Sequence, residues 1–226
     1  MSLAVAGAMA AGNRPRVREM ETAAMDAVRR AVRLCPSVFL AFSLGKDSAV
    51  MLDLALRAGY DGPVRVLAWE GETDALHSDW RDVLAAWEAR GVRTEVVTAR
   101  RDSLVTGDTE RWDALWGGAE GVLMGLRADE SRGRRMTLRT HGTEYRAKNG
   151  AWRFCPLAWW KNGDVADYVR RNGLPTLRAY EAHGLEDSRT ALRVPREGVR
   201  GEAMNDLRGR DPAGYRALCL RFGGTV

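Results

Sequence analysis

One short loop combines the side chains and the backbone freedom that a phosphate-binding site needs. Its residues are Ser43, Leu44, Gly45, Lys46, Asp47 and Ser48. A glycine lets backbone amides approach phosphate oxygens, hydroxyl groups donate hydrogen bonds, and a lysine supplies positive charge. The carboxylate of Asp47 is a candidate ligand for Mg²⁺, directly or through water. These residue types predict a phosphate cradle; the alternative is a strand-to-helix turn in which Gly45 bends the chain and Asp47 or Ser48 caps the helix.

The loop lies between a strand pattern and a helix pattern. Residues 38–42 form a continuous β-prone apolar run, and apolar residues then recur at helical spacing as far as Gly59. Further strands are predicted at 64–68, 94–98 and 121–125, and helices at 17–34, 74–90 and 165–172. This alternation predicts a single α/β domain with a doubly wound, mainly parallel sheet of about five strands and helices on both faces. Ligands of such sheets bind where loops leave the carboxyl ends of the strands.

Length and composition restrict the class of protein. The 226 residues suit one domain; we expect a flexible arm at 1–15, the α/β domain at 16–180, and a C-terminal extension on or near the site at 181–226. The longest apolar run is too short for a membrane span and the N-terminus lacks a secretory signal, so we expect a cytoplasmic protein. Cys35, Cys155 and Cys219 stand far apart, which argues against structural zinc, an iron–sulfur cluster or a disulfide framework. The net charge of +5 suits a polyanionic ligand, either a nucleotide or a nucleic acid.

Three motifs, in order along the chain, resemble one known family. Ser-x-Gly-Lys-Asp-Ser at 43–48 resembles the PP-loop of the N-type ATP pyrophosphatases, which cleave ATP between the α and β phosphates. Gly-Leu-Arg-Ala-Asp-Glu-Ser at 125–131 is similar to a segment of the branch that contains phosphoadenylylsulfate (PAPS) reductase and the small subunit of sulfate adenylyltransferase. The third match is Cys-Pro-Leu-Ala-Trp-Trp at 155–160, with Leu-Pro at 174–175 downstream. The resemblance implies the adenine nucleotide alpha hydrolase-like fold.

The resemblance also implies roles for individual residues. It assigns catalysis to Lys46, Asp47 and Arg127, with Mg²⁺ bound to Asp47. The implied phosphate-binding and nucleotide-binding residues are Ser43, Leu44, Gly45, Lys46, Asp47, Ser48 and Gly125. The implied ligands of the substrate anion are Arg127, Arg132 and Arg135. The alternative is that these arginines, together with Arg134, form a solvated basic loop. Asp129 and Glu130 are either Mg²⁺ ligands or internal partners of these arginines. We expect Lys46→Ala or Asp47→Ala to abolish turnover with little loss of fold.

The implied activity is cleavage of ATP to AMP and pyrophosphate with adenylylation of an acceptor such as a sulfate-type anion, with ATP and Mg²⁺ as cofactors. Intact Gly45, Lys46 and Asp47 favour ATP chemistry, since the reductases typically carry a degenerate loop. The first alternative is a PAPS or adenylylsulfate reductase with an external thiol reductant. However, the residues around Cys219 match the reductase Glu-Cys-Gly motif poorly, and a packed thiol explains Cys219 better.

A second alternative is a partner-dependent nucleotide-binding subunit in sulfur incorporation or nucleic-acid modification. The sequence leaves open whether the protein forms a homodimer or binds a partner subunit. The arginine-rich tail at 187–196 could close over a nucleotide, and its contact with nucleic acid is only weakly supported, because no aromatic residue is interleaved with its arginines.

The remaining candidates have ordinary structural explanations beside the functional ones. Glu70, Glu72 and Thr73 follow the second strand, where the family places an Asp-Thr pair, and an exposed acidic turn explains them equally well. The histidines at 77, 141 and 183 show no catalytic spacing. Trp159 and Trp160 are expected to form core and pocket wall.

Overall fold

In a computed structural model of the chain, the described residues are 14–69, 79–99 and 115–185, together with 208, 209, 212, 215 and 216. Several sequence predictions fall outside them: most of the N-terminal arm, the acidic turn after the second strand, His77, the tail at 187–196 and Cys219. Among the described helices, none is long and apolar enough to cross a membrane.

The described elements alternate as the sequence pattern predicts. In chain order they are α1 (Arg14–Leu34), β1 (Val38–Phe42), α2 (Lys46–Arg57), β2 (Val64–Trp69), α3 (Trp80–Glu88), β3 (Thr94–Ala99), β4 (Gly121–Met124), α4 (Arg132–His141), β5 (Glu144–Arg146), β6 (Trp152–Phe154), α5 (Asn162–Asn172) and α6 (Ala179–His183). Helix α1 begins at Arg14, so it includes the last two residues of the predicted flexible arm.

The strands form one sheet of six, in the order β3-β2-β1-β4-β6-β5. Five strands are parallel, and β5 pairs antiparallel with β6 at one edge. Leu40 of β1 pairs with Val64 of β2 on one side and with Leu123 of β4 on the other. The prediction of a mainly parallel α/β sheet is confirmed, with six strands in place of about five. The four strands predicted at 38–42, 64–68, 94–98 and 121–125 are present. The other two form a hairpin whose strands are only three residues long, too short for a recognisable period of two.

The two faces of the sheet have separate apolar clusters, because side chains alternate along each strand. One face carries Leu40 and Phe42 and packs into the main core with residues of α1, α2, α3 and α5. The opposite face carries Phe39 and Val122, which pack with Leu115 and Trp116. The ring of Phe39 meets that of Trp116 edge-on at 5.4 Å. Helix α2 lies at the centre of the main core, so the first turn of α2 is held rigidly against β1 and β4.

Candidate functional site

The 43–48 loop and the 125–131 segment leave the sheet from neighbouring strands. β1 and β4 are parallel partners, so their carboxyl ends lie at the same edge. From β1 the chain continues to β2 and β3 on one side, and it later returns to β4 on the other side. The gap between β1 and β4 is therefore a topological switch point, where open α/β sheets bind their ligands. The structure brings the first two sequence motifs together at this point.

The 43–48 loop is held by hydrogen bonds among its own groups. The Ser48 hydroxyl donates to the carbonyl of Gly45 at 2.9 Å and accepts from the backbone N–H of Ser43 at 3.2 Å. Leu44 has a φ of 62°, a left-handed conformation that costs a leucine about 1–2 kcal/mol. Its side chain is fully buried in the main core, and that burial stabilises the strained backbone. The loop therefore has a defined shape before any ligand arrives.

The two glycines of the site are explained differently. Gly45 precedes α2 with φ −77° and ψ 158°, which any residue adopts, and an added Cβ would meet its nearest neighbours at an ordinary 3.5 Å. Packing among the described residues does not require glycine there, and the hydroxyls of Ser43 and Tyr180 lie beside this position. An added Cβ on Gly125 would lie 3.0 Å from backbone atoms of Asp47 and Ser48. Gly125 thus allows the end of β4 to pack closely against the first turn of α2.

Lys46 and Tyr180 meet at the N-terminus of α2. The Lys46 side chain is almost fully buried; its Nζ lies 3.8 Å from Oδ2 of Asp47 and 5.6 Å from the centre of the Tyr180 ring. The backbone N–H of Lys46 donates to the Tyr180 hydroxyl at 3.1 Å. That hydroxyl oxygen occupies a position at which an anion would accept a hydrogen bond from the helix. Sequence analysis missed Tyr180, which lies 134 residues downstream.

Arg127 is directed at protein groups. It is 1% exposed, and its Nε donates to Oδ1 of Asp47 at 2.6 Å. Its Nη1 donates to the Trp160 carbonyl and its Nη2 to the Asn162 side chain, each at 3.3 Å. The donors of this guanidinium are directed at Asp47, Trp160 and Asn162, so the observed conformation does not support the predicted grip on the anion. The structure instead makes Arg127 a positioning residue, which holds the Asp47 carboxylate at the start of α2.

The burial of Arg127 also changes the expected effect of replacing Asp47. The Asp47 carboxylate is the closest counter-charge of the buried guanidinium. From the structure we expect Asp47→Ala to destabilise the fold, in contrast to the prediction from the sequence, because the substitution removes the partner of a buried cation.

The donor set around Asp47 does not fit a resident Mg²⁺. One carboxylate oxygen is bonded to Arg127 and the other lies closest to the Lys46 ammonium, so both oxygens face cations. Within the described residues, no group of three or more carboxylate, histidine or cysteine side chains is placed to hold a metal. At nucleotide sites Mg²⁺ is held by one or two carboxylates together with phosphate oxygens and water, so Asp47 would have to leave its two cationic partners to take part. The predicted role of Asp47 as a Mg²⁺ ligand is not supported by this arrangement.

Asp129 and Glu130 serve as internal partners. Oδ2 of Asp129 accepts from the backbone N–H of Asn162 at 3.0 Å, and its carboxylate lies 3.6 Å from Lys161 Nζ and 3.9 Å from Arg127 Nη1. The hydrogen bond from the Asn162 N–H, aided by the two cations, lowers the pKa of Asp129. Glu130 accepts from the backbone N–H of Arg127 at 2.8 Å and pairs with Arg134. The structure therefore agrees with the prediction that Asp129 and Glu130 are internal partners of the arginines.

The predicted anion-binding arginines of helix α4 are placed differently from one another. Arg132 is exposed at the first position of α4. Arg135 lines a cavity of about 160 Å³, which we name the basic cavity. The residues that line it are Ala128, Asp129, Arg135, Arg139, Trp159, Trp160 and Lys161. Trp160 is buried and Trp159 is 53% exposed, in agreement with the predicted core and pocket wall.

The two described cysteines are poor candidates for a nucleophile. Cys35 and Cys155 are both buried and unpaired. Burial raises the pKa of the Cys155 thiol to about 12, and burial also raises that of Cys35. A thiol with a raised pKa is protonated at neutral pH and unreactive. Among the described histidines, the ring of His141 stacks on that of Tyr145, with 5.3 Å between the ring centres.

Comparison with known proteins agrees with the fold and the motifs. Residues 112–222 match the family model of the phosphoadenosine phosphosulfate reductase domain. No curated protein matches the chain in sequence.

Solved structures that are similar to the chain include the following three. FMN adenylyltransferase of Candida glabrata, in complex with FMN and the ATP analogue AMPCPP, has a TM-score of 0.56 at 12% identity, covering 74% of this chain and 61% of that one. PAPS reductase of Candida auris, in a phosphate complex, has a TM-score of 0.50 at 18% identity, covering 71% and 84%. NMN synthetase of Francisella tularensis has a TM-score of 0.55 at 14% identity, covering 93% and 87%.

The identities are low, so these structures establish the fold alone. The chain spans about three fifths of the FMN adenylyltransferase chain that it matches. The family match, however, includes both the 125–131 segment and the 155–160 segment, on which the sequence resemblance depends. The chain has the adenine nucleotide alpha hydrolase-like fold, and its residues 112–222 match the family model of the phosphoadenosine phosphosulfate reductase domain.

Proposed function

We propose that the protein is an adenylyl-transferring enzyme that cleaves ATP between the α and β phosphates. An oxygen of the acceptor forms a bond to the α-phosphorus while the bond from that phosphorus to the bridging oxygen breaks. The products are an adenylylated acceptor and pyrophosphate, which leaves with the electron pair of the broken bond. The observation that carries this proposal is the buried ammonium of Lys46 at the N-terminus of α2, where the Tyr180 hydroxyl occupies the position that a phosphate oxygen would take.

The charges of the site suit a polyphosphate leaving group. Backbone amides at the start of α2 provide hydrogen bonds and the positive end of the helix dipole. The Lys46 ammonium lies in a nearly water-free position, where it stabilises developing negative charge more strongly than it would in solvent. The protein itself takes little part in the covalent chemistry, because positioning of the reactants and neutralisation of their charge dominate phosphoryl-group reactions.

Arg127 and Tyr180 support the same proposal indirectly. Arg127 holds Asp47 by its short hydrogen bond and so limits the motion of the first turn of α2. Tyr180 contacts the Lys46 amide through its hydroxyl. We propose that a phosphate oxygen replaces this hydroxyl when ATP binds, because both groups accept a hydrogen bond from the same N–H.

The test is calorimetric titration with ATP in buffer containing Mg²⁺, followed by a pyrophosphate-release assay with candidate acceptors. Lys46→Met should lower the affinity for ATP at least tenfold, because the substitution removes the buried cation of the phosphate cradle. Lys148→Met is the matched control, because Lys148 is exposed near the β5–β6 turn, away from the cradle. Equal ATP affinity of the two variants would refute the proposal.

The family match favours one second candidate, a reductase of PAPS or adenylylsulfate. Titration with PAPS distinguishes the two activities, since a reductase should bind PAPS more tightly than ATP. The buried, high-pKa thiols of Cys35 and Cys155 argue against either as the reducing nucleophile. Binding of neither nucleotide would point instead to a subunit that requires a partner.

A further inference from the structure

We propose that the basic cavity is a binding site for an anion carried on a flat ring. The cavity is separate from the 43–48 loop, so its binding of this ligand does not depend on the proposed function. Three cationic side chains line the cavity, against the single carboxylate of Asp129. That carboxylate is already engaged by the Asn162 backbone N–H and by Lys161. The cavity therefore retains a surplus of positive charge.

Two of the three cations belong to helix α4 and face the same cavity. Arg135 and Arg139 are four residues apart, so they are neighbours on one face of the helix. Like charges at this spacing destabilise a helix. In the part of the chain that the structure describes, neither guanidinium has a side-chain hydrogen bond or an ion pair. A bound anion would relieve this repulsion and use the planar donors of both arginines, which suit carboxylate, sulfonate or phosphate groups.

Trp159 supplies the evidence for a ring. Its side chain is 53% exposed while the adjacent Trp160 is buried, and both line the cavity. An exposed indole beside cations offers an apolar surface on which a flat ring can stack. The cavity volume of about 160 Å³ is close to the roughly 150 Å³ that holds one benzene molecule in an engineered protein cavity. Sulfate alone would leave the indole surface unused.

The cavity is connected to the 43–48 loop by a short series of contacts. Asp129 approaches both Lys161, at the cavity, and Arg127, in the interior. Arg127 in turn is bonded to Asp47 in the first turn of α2. The cavity and the 43–48 loop thus lie on either side of one buried arginine.

The test is titration of the full chain with benzenesulfonate and with methanesulfonate, two probes that share the anion and differ in the ring. We expect wild type to bind benzenesulfonate at least tenfold more tightly than methanesulfonate. Arg139→Met should weaken benzenesulfonate binding at least tenfold, and Trp159→Ala should abolish the preference for the ring. Arg33→Met is the matched control, because Arg33 is exposed in the last turn of α1.

A companion titration with ATP separates this proposal from the proposed function. Arg139→Met should keep the wild-type affinity for ATP, and Lys46→Met should keep that for benzenesulfonate. Circular dichroism of each variant checks that the fold is intact. The proposal is overturned if wild type does not bind benzenesulfonate, if Arg139→Met binds it like Arg33→Met, or if Trp159→Ala retains the ring preference. Benzenesulfonate binding without ATP binding would overturn the proposed function and support the cavity as an anion site.

Discussion

Asp47→Asn tests the buried ion pair that organises the site. The substitution keeps the size of the side chain and a hydrogen-bonding oxygen, but it removes the charge that faces the Arg127 guanidinium at 2.6 Å. Arg127 is 1% exposed, and its next carboxylate, that of Asp129, lies 3.9 Å away. Breaking a buried pair from one side costs about 3–5 kcal/mol. Because Asp129 remains and Asp47 is 19% exposed, we expect the lower end, about 3 kcal/mol.

The assay is urea and thermal unfolding of single and double variants. For a chain of this size, about 3 kcal/mol corresponds to a fall in Tm of roughly 6–12 °C. Asp47→Asn combined with Arg127→Met should be clearly more stable than the sum of the single effects predicts, because the double variant buries no unpaired cation. Asp167→Asn is the control, since that carboxylate and its partner are exposed, and it should change nothing measurable. A loss below about 1 kcal/mol in Asp47→Asn, or additive effects in the double variant, would refute the reasoning.

Three further predictions concern packing, ligand competition and thiol chemistry. Gly125→Ala should lower the free energy of unfolding by about 1–3 kcal/mol, because the added Cβ would lie 3.0 Å from backbone atoms of Asp47 and Ser48. Gly133→Ala is the control, since open space surrounds its added Cβ, and it should not destabilise the protein. Tyr180→Phe should tighten pyrophosphate binding by roughly 2–12-fold in calorimetry, because no hydroxyl then competes for the Lys46 amide; weaker binding would mean that the hydroxyl contacts the ligand. Cys155, whose pKa is raised to about 12, should resist iodoacetamide in the native protein at pH 9 and react after unfolding, as followed by mass spectrometry. Because the thiol of the unfolded chain ionises near pH 9, the contribution of the buried Cys155 thiol to the free energy of unfolding should fall between pH 9 and 12. The free energy of unfolding of Cys155→Ala should therefore fall less steeply over that range.

Much of the fold could be predicted because its signals are local. The apolar run at 38–42 and the helical spacing after the loop correctly predicted β1 and α2. Helix α4 was not predicted, since its ten residues include Leu138 as the only buried one and so show almost no apolar period. The β5–β6 hairpin was missed for a related reason: Glu144, Arg146 and Arg153 interrupt the apolar pattern of two very short strands.

The amino-acid sequence by itself determined where the candidate site lies. The residue types at 43–48 and 125–131, together with the parallel topology, place both segments at the carboxyl ends of β1 and β4. Only the tertiary structure decided what each side chain does there. Arg127 points inward because Asp47, Trp160 and Asn162 converge on it from 80, 33 and 35 residues away. Spacing along a chain reveals which residues share a helix face or a strand, but hydrogen-bond partners supplied by distant segments are set by packing.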